Sequence, residues 1–184
     1  MKIAVTGNIG SGKTEVIKFL SVLKFKCVSS DQIISDLYNH PETRSAILHK
    51  LNLSDENYKK KIIDNLLNEE FNRKLKKAVY PFLYAKKKKI ASKHEILQPI
   101  FYEVPLLFEE KLSKDFDLTI FIKSDIIKRK KRVLARGVSE NYFNLMNKKQ
   151  INQNKKELLS DYIISNNSSI LNLRINIIKL LNTI

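Results

Sequence analysis

Gly7-Asn8-Ile9-Gly10-Ser11-Gly12-Lys13-Thr14 is the stretch whose reading decides the fold. It fits the pattern G-x-x-x-x-G-K-[ST], in which glycines leave backbone N–H groups free to wrap phosphate oxygens at the positive end of a helix dipole. The flanks have the form such a loop needs. Lys2-Ile3-Ala4-Val5-Thr6 reads as a buried strand, and Glu15-Val16-Ile17-Lys18-Phe19-Leu20 as the start of an amphipathic helix. An ordinary glycine-rich turn before a helix is the bland alternative, and the strand, loop and helix standing in register argue against it. On this pattern Asn8, Ile9, Gly10, Ser11, Gly12, Lys13 and Thr14 form the phosphate cradle. Lys13 reaches the β- and γ-phosphates of a nucleotide, and the Thr14 hydroxyl ligates Mg²⁺.

The chain has 184 residues, which suits one domain with a small insert. A strand starting at residue 2 leaves no room for a secretory signal. Ile96 to Phe108, the most apolar stretch, is short and carries Glu103, so a core strand is expected rather than a membrane span. The single cysteine, Cys27, has no internal disulfide partner; it reads as a buried small hydrophobe in a reducing cytoplasm. Net charge is +15. The lysine runs Lys59 to Lys61, Lys86 to Lys89 and Lys128 to Lys131 fall in helical patterns and read as solvated faces, so no specific nucleic-acid partner is expected. The abundance of Lys, Asn and Ile also matches AT-rich codons. Arginine is scarce, which makes each one informative, because its planar fork grips phosphate in a way an ammonium does not.

Along the chain, Phe25 to Val28 reads as a second strand, expected beside the strand of the phosphate loop. Asp31 follows it at a strand-to-helix junction, where it is either an N-cap or a base toward an acceptor hydroxyl. Residues 41 to 93 are helix-compatible throughout: Pro41 to Lys50, Asp55 to Leu67, and Glu69 to Ala91 with an interruption at Pro81. A third strand over Gln98 to Phe108 ends in a proline turn, and Leu118 to Ile122 forms a fourth. Helices follow over Asp125 to Ala135 and Glu140 to Lys149, then a strand at Tyr162 to Ile164 and a helix over Ile170 to Leu181. Strands alternating with helices imply an α/β fold with a mostly parallel sheet of about five strands covered by helices. The histidines His40, His49 and His94 are too far apart for metal-ligand spacing and are expected at the surface. Phe101, Tyr102 and Phe108 are expected in the core.

Several of these segments together resemble the dephospho-coenzyme A kinase family. Gly7 to Thr14 is similar to its phosphate loop, Ser30-Asp31 to the end of its Asp-Ala-Asp, and Val104-Pro105-Leu106-Leu107-Phe108-Glu109 to its most specific signature. Arg132-Val133-Leu134-Ala135-Arg136-Gly137 with Ser139-Glu140 resembles its lid. Gln150 and Asp161-Tyr162-Ile163-Ile164-Ser165-Asn166-Asn167 resemble its carboxyl-terminal signature. The resemblance departs from the family where Ser29 replaces the first aspartate, where Tyr80-Pro81 stands for a His-Pro pair, and where Met146 occupies a position that is often arginine. The family's Asp-Arg pair has no clear counterpart among Asn57 to Lys61.

The resemblance implies a single P-loop kinase domain over residues 1–184, with a helical acceptor-binding insert over 41–93 and a lid over about 125–150. It implies transfer of the γ-phosphoryl group of ATP to the 3′-hydroxyl of dephospho-coenzyme A, with Mg²⁺, in the cytoplasm, by a monomer or weak homo-oligomer. Lys13, Asp31 and Arg136 are the implied catalytic residues; Arg132 and Arg136 close over the phosphoryl group; Thr14 and Glu103 serve the metal. For Glu103 a solvated strand end is the competing reading, and for Arg129 an exposed helix position is favoured over catalysis. A GTPase would need an Asn-Lys-x-Asp segment, which is absent from the sequence. A nucleoside- or shikimate-type kinase shares the loop and lid and differs in its acceptor. A nucleic-acid-binding ATPase would explain the charge but lacks a recognition module.

Overall fold

The computed structural model describes residues 1–65, 68–92 and 98–184. In chain order its elements are β1 (Lys2–Thr6), α1 (Lys13–Val22), β2 (Lys26–Ser29), α2 (Ser30–Asn39), α3 (Pro41–Lys50), α4 (Tyr58–Asn65), α5 (Glu69–Ser92), β3 (Ile100–Glu103), β4 (Leu118–Lys123), α6 (Ile126–Leu134), α7 (Glu140–Lys149), α8 (Gln153–Leu158), β5 (Tyr162–Ser165) and α9 (Ile170–Leu181). A 3₁₀ turn at Ser113–Asp115 precedes β4. His94, the start of the apolar stretch at Ile96 and the Leu67 end of the expected fourth helix lie outside the described residues. The chain divides into two compact units, one of Met1–Ser29 with Glu95–Ile184, the other of Ser30–His94.

The first unit holds the sheet, five strands in the order β2-β3-β1-β4-β5 with every pairing parallel. Ile3, Ala4 and Val5 are fully buried in succession. Successive strand residues face opposite sides, so both faces of the sheet are covered, as a parallel sheet requires. The expectation that β2 lies beside the phosphate-loop strand is corrected: β3 stands between them. The cause is apolar content. All four residues of β3 are buried, whereas β2 exposes Lys26 and suits an edge. On one face α1 contributes Val16, Ile17 and Leu20 and α9 contributes Leu173 and Ile177 to a core shared with Phe101, Ile120, Ile122 and Ile164. The spacing of those positions places them on one side of each helix.

Polar contacts fix the lower ends of the strands. Lys2 donates its backbone N–H to Asp117 Oδ2 at 2.6 Å, and Thr119 donates both its N–H and its hydroxyl to Asp161 Oδ2 at 2.7 Å. Cys27 is half-buried rather than fully buried because it lies on the edge strand; burial still pushes its thiol up, against a hydrogen bond with Ser21.

The second unit is helical, with α2, α3 and α5 packed on one another around Ile33, Leu37, Ile47, Leu48, Ala78, Val79 and Leu83. Arg44 ties it together: its guanidinium makes a bidentate pair with Asp55, at 2.8 and 3.0 Å, and donates to the Tyr38 carbonyl at 3.2 Å. Pro81 does not interrupt α5, which runs unbroken past it. The proline removes one backbone N–H, but Ala78, Val79 and Leu83 on either side are buried and hold the helix in place. Among the described residues no helix is long and apolar enough to cross a membrane.

Candidate active site at the phosphate loop

β1 ends at Thr6 and α1 starts at Lys13, so the loop between them opens at the carboxyl edge of a central strand. That edge is where open α/β sheets hold ligands. Gly12, with φ of 103°, precedes α1 and supplies no side-chain cap. The first-turn donors of α1 thus lack the side-chain acceptor that helices commonly recruit, an arrangement suited to an anion. Gly12 and Gly10 also permit close approach. A Cβ on Gly12 would run into Asn166 Nδ2, and one on Gly10 would stand 2.5 Å from the Arg129 carbonyl oxygen.

Lys13 is buried, its ammonium donating to the carbonyls of Gly7 at 3.0 Å and Asn8 at 3.3 Å. The Ile9 N–H donates to Gln150 Oε1 at 2.8 Å, and the Ser11 N–H turns back to the Asn8 carbonyl at 3.1 Å. Asn8 Oδ1 and Ser11 Oγ are buried without a hydrogen-bond partner among the described residues. Unpaired polar atoms in a buried loop mark a place where a polar ligand compensates them.

Glu103 is 4 % exposed. It is not a solvated strand end, because the sheet order sets it between the ends of β1 and β2, in register with Val5 and Ser29. Thr14 donates its hydroxyl to Oε1 at 3.0 Å and Ser29 donates to Oε2 at 3.0 Å. A carboxylate and a hydroxyl in contact form an all-oxygen donor pair, the chemistry Mg²⁺ requires, so these residues fit that cation.

The helices after β4 reach the loop from the other side. Arg132 donates to Gly10 O at 3.4 Å, Ser124 Oγ at 3.0 Å and Asn166 O at 2.8 Å. Asn166 in turn donates from Nδ2 to the Ser11 carbonyl at 2.7 Å. Arg129, expected at the exposed surface, is 4 % exposed. It lies on the same face of α6 as Val133, one helical turn on, and that face packs toward the loop, whereas Lys128 and Lys131 stay exposed. Burial lowers the pKa of both guanidiniums, and for Arg132 the neighbouring charge of Arg136 adds to the effect. Arg136 is exposed, just beyond α6.

Asp31 is exposed and is the second residue of α2, in the helical unit. It therefore lies inside the first turn rather than at the N-cap. Lys59 to Lys61 are exposed as expected, and in the run Lys86 to Lys89 Lys87 is half-buried and the others are exposed. His40 and His49 are exposed, and no metal-binding cluster of His, Cys, Asp and Glu occurs among the described residues.

The family model for dephospho-CoA kinase matches residues 1–172 of the sequence. The chain belongs to the dephospho-CoA kinase family. A dephospho-CoA kinase of Rickettsia typhi is 30% identical over 185 residues, covering 98% of this chain and 96% of its own. Among solved structures, a Thermus thermophilus protein superposes with a TM-score of 0.85 at 22% identity, covering 100% of this chain and 96% of its own. A dephospho-CoA kinase from Campylobacter jejuni superposes with a TM-score of 0.66 at 22% identity over 99% of this chain and 96% of its own. At such identities the superpositions speak to fold, and the fold is that of P-loop kinases. Family membership makes the chain an ATP-dependent kinase.

Sequence reasoning quoted Asn166, Gln150 and Glu109 without giving them roles. Asn166 follows the carboxyl end of β5, the edge where α/β ligand sites gather, and that placement is the signal that points to it. Glu109 accepts the Ile151 N–H at 2.9 Å and stands 2.6 Å from the ammonium of fully buried Lys156, while Asn8 Nδ2 donates to the Ile151 carbonyl at 3.3 Å. The turn between α7 and α8 is thereby joined to the phosphate loop. Lys156 carried no sequence signal, since one of two adjacent lysines in a six-residue helix does not stand out.

Proposed function

We propose that the chain transfers the γ-phosphoryl group of ATP to the 3′-hydroxyl of dephospho-coenzyme A, giving coenzyme A in the cytoplasm. The match to the dephospho-CoA kinase family over residues 1–172 carries this reading. The phosphate-loop geometry agrees with it. Lys13 and the loop amides bind the ATP phosphates; the ammonium already rests on loop carbonyls and exchanges one of them for phosphate oxygen. Thr14 and Glu103 would hold Mg²⁺, which would supply charge neutralisation at the transferring group.

Asp31 accepts the proton of the 3′-hydroxyl as the ribose oxygen attacks. Its match to the second aspartate of the family's Asp-Ala-Asp supports this role. Arg132 and Arg136 attract the anionic phosphoryl group. The segment of α6 and α7 acts as a lid that excludes water and limits ATP hydrolysis. The helical stretch over 41–93 receives the acceptor.

Measuring ATP consumption with dephospho-coenzyme A, shikimate, deoxyadenosine and gluconate as acceptors tests the reading. Turnover with dephospho-coenzyme A at least about 10²-fold above the rest is expected, since a site built for one acceptor's polar groups rejects acceptors lacking them. Preference for any other acceptor would overturn it.

A further inference from the structure

Arg129 is a buried cation without an acid. Its Nε donates to the Ser124 carbonyl at 3.1 Å, and its Nη1 donates to the Ile9 carbonyl at 3.2 Å and to Asn147 Oδ1 at 2.9 Å. All three acceptors are neutral dipoles, and among the described residues no carboxylate pairs with it. Buried guanidiniums ordinarily stand beside an anion, because leaving the charge uncompensated is costly. The phosphate loop is the element this charge faces. The α6 backbone presses there too, since the Arg129 carbonyl leaves Gly10 no space for a Cβ.

The residue held by Arg129 is held a second time. Ile9 receives Arg129 on its carbonyl and gives its N–H to Gln150 Oε1 at 2.8 Å. Gln150 closes α7 and Arg129 lies in α6, so two different helices fix the backbone of one loop residue from its two sides. With Ile9 held on both its N–H and its carbonyl, the backbone that follows it toward Lys13 is constrained rather than free to rotate.

We propose that Arg129 is a positioning residue for the phosphate loop, acting through the Ile9 backbone jointly with Gln150. The inference rests on the nucleotide-binding reading given above. Arg129 does not touch the transferring group. It sets the loop in its binding shape, and its unneutralised charge gains a counter-ion when polyphosphate enters.

A double-mutant cycle on ATP binding, measured by calorimetry alongside thermal unfolding, tests this. In Arg129→Gln the new amide stands where Nε stood, so it retains the Ser124 contact but does not span to Ile9 and Asn147. Gln150→Ala removes the opposite hold. Each single variant is expected to weaken ATP binding about tenfold, the scale of one lost hydrogen bond. Because both act on one backbone segment, the double variant is expected to lose little more than either single one. The two side chains share no hydrogen bond with each other, and Ile9 is the residue both of them hold; Asn147→Ala, which removes the other link from Arg129 to α7, is expected to leave the coupling in place. Penalties that multiply to about 10²-fold, or an Arg129→Gln variant that binds ATP normally, would overturn the proposal. Should Arg129→Gln not fold, Arg129→Lys carries the same readouts, since a single ammonium does not hold Ile9 and Asn147 in the fork geometry. A wild-type protein that fails to bind ATP would overturn the phosphate-loop reading and this inference with it, whereas wild-type binding with additive penalties sinks the inference alone.

Discussion

Thr14 and Glu103 stand 89 positions apart in the chain, and the hydroxyl of the first donates to the carboxylate of the second at 3.0 Å. The contact exists because β3 pairs directly with β1, so the end of one strand meets the start of the helix that follows the other. Replacing Glu103 by Gln preserves an acceptor for Thr14 and removes the charge. Turnover is expected to fall by about 10²-fold, with the Mg²⁺ concentration for half-maximal rate displaced upward. An unchanged Mg²⁺ dependence in Glu103→Gln would separate this residue from the metal.

Asp31→Asn keeps the size of the side chain and abolishes its basicity. Turnover is expected to drop by about 10²-fold or more while ATP binding persists. Loss of ATP binding in proportion to rate, or full activity, would count against Asp31 as the base.

The buried pair of Lys156 and Glu109 predicts a stability effect. Lys156→Met leaves the Glu109 carboxylate in the interior without its cation, so urea unfolding is expected to show a loss of about 3–5 kcal/mol. The double variant Lys156→Met with Glu109→Gln relieves the unpaired charge and is expected to recover part of that loss. A single variant as stable as the wild type would show that the pair contributes nothing net.

How much of this was readable beforehand depends on whether the determinant was local. The loop over residues 7–14 and the helices Pro41–Lys50, Glu140–Lys149 and Ile170–Leu181 are legible because periodicity, proline at a helix start and serine caps are properties of neighbouring residues. The position of β3 between β1 and β2 was not, since pairing order is decided by burial across the whole sheet. The environment of Glu103 went unread for the same reason: its two hydroxyl donors arrive from the start of α1 and the end of β2. Arg129 was concealed by its own neighbours. Within Lys128-Arg129-Lys130-Lys131 every residue is cationic, so composition alone does not say which one turns inward. Continuity of α5 through Pro81 likewise rests on packing that no local rule expresses.

Tyr38 gives a pH-dependent signature of the helical unit. It stacks on Tyr58 with ring centroids 5.5 Å apart, and burial, with Tyr58 second, pushes its phenol up from 10.0 to about 12. The unfolded chain therefore loses this proton first as pH rises. Its contribution to stability is whole below pH about 10 and is lost as pH climbs through about 12. Unfolding midpoints for wild type and Tyr38→Phe should diverge only in that alkaline window, and divergence at neutral pH would contradict this assignment.

The charge of +15 is expected to express itself as electrostatic attraction without recognition. Labelled duplex and single-stranded nucleic acids should bind weakly, without sequence preference, and release steeply as salt rises. Submicromolar, sequence-selective binding at physiological salt would contradict this expectation.

Phosphorus NMR of the product formed from ATP, Mg²⁺ and dephospho-coenzyme A tests the central claim most directly, because it reports where the phosphoryl group lands. The account predicts a monoester on the ribose 3′-oxygen with wild-type protein and none with Lys13→Ala, whose fold stays intact by circular dichroism. Phosphate released only to water, transfer to another position, or undiminished product from Lys13→Ala would contradict it.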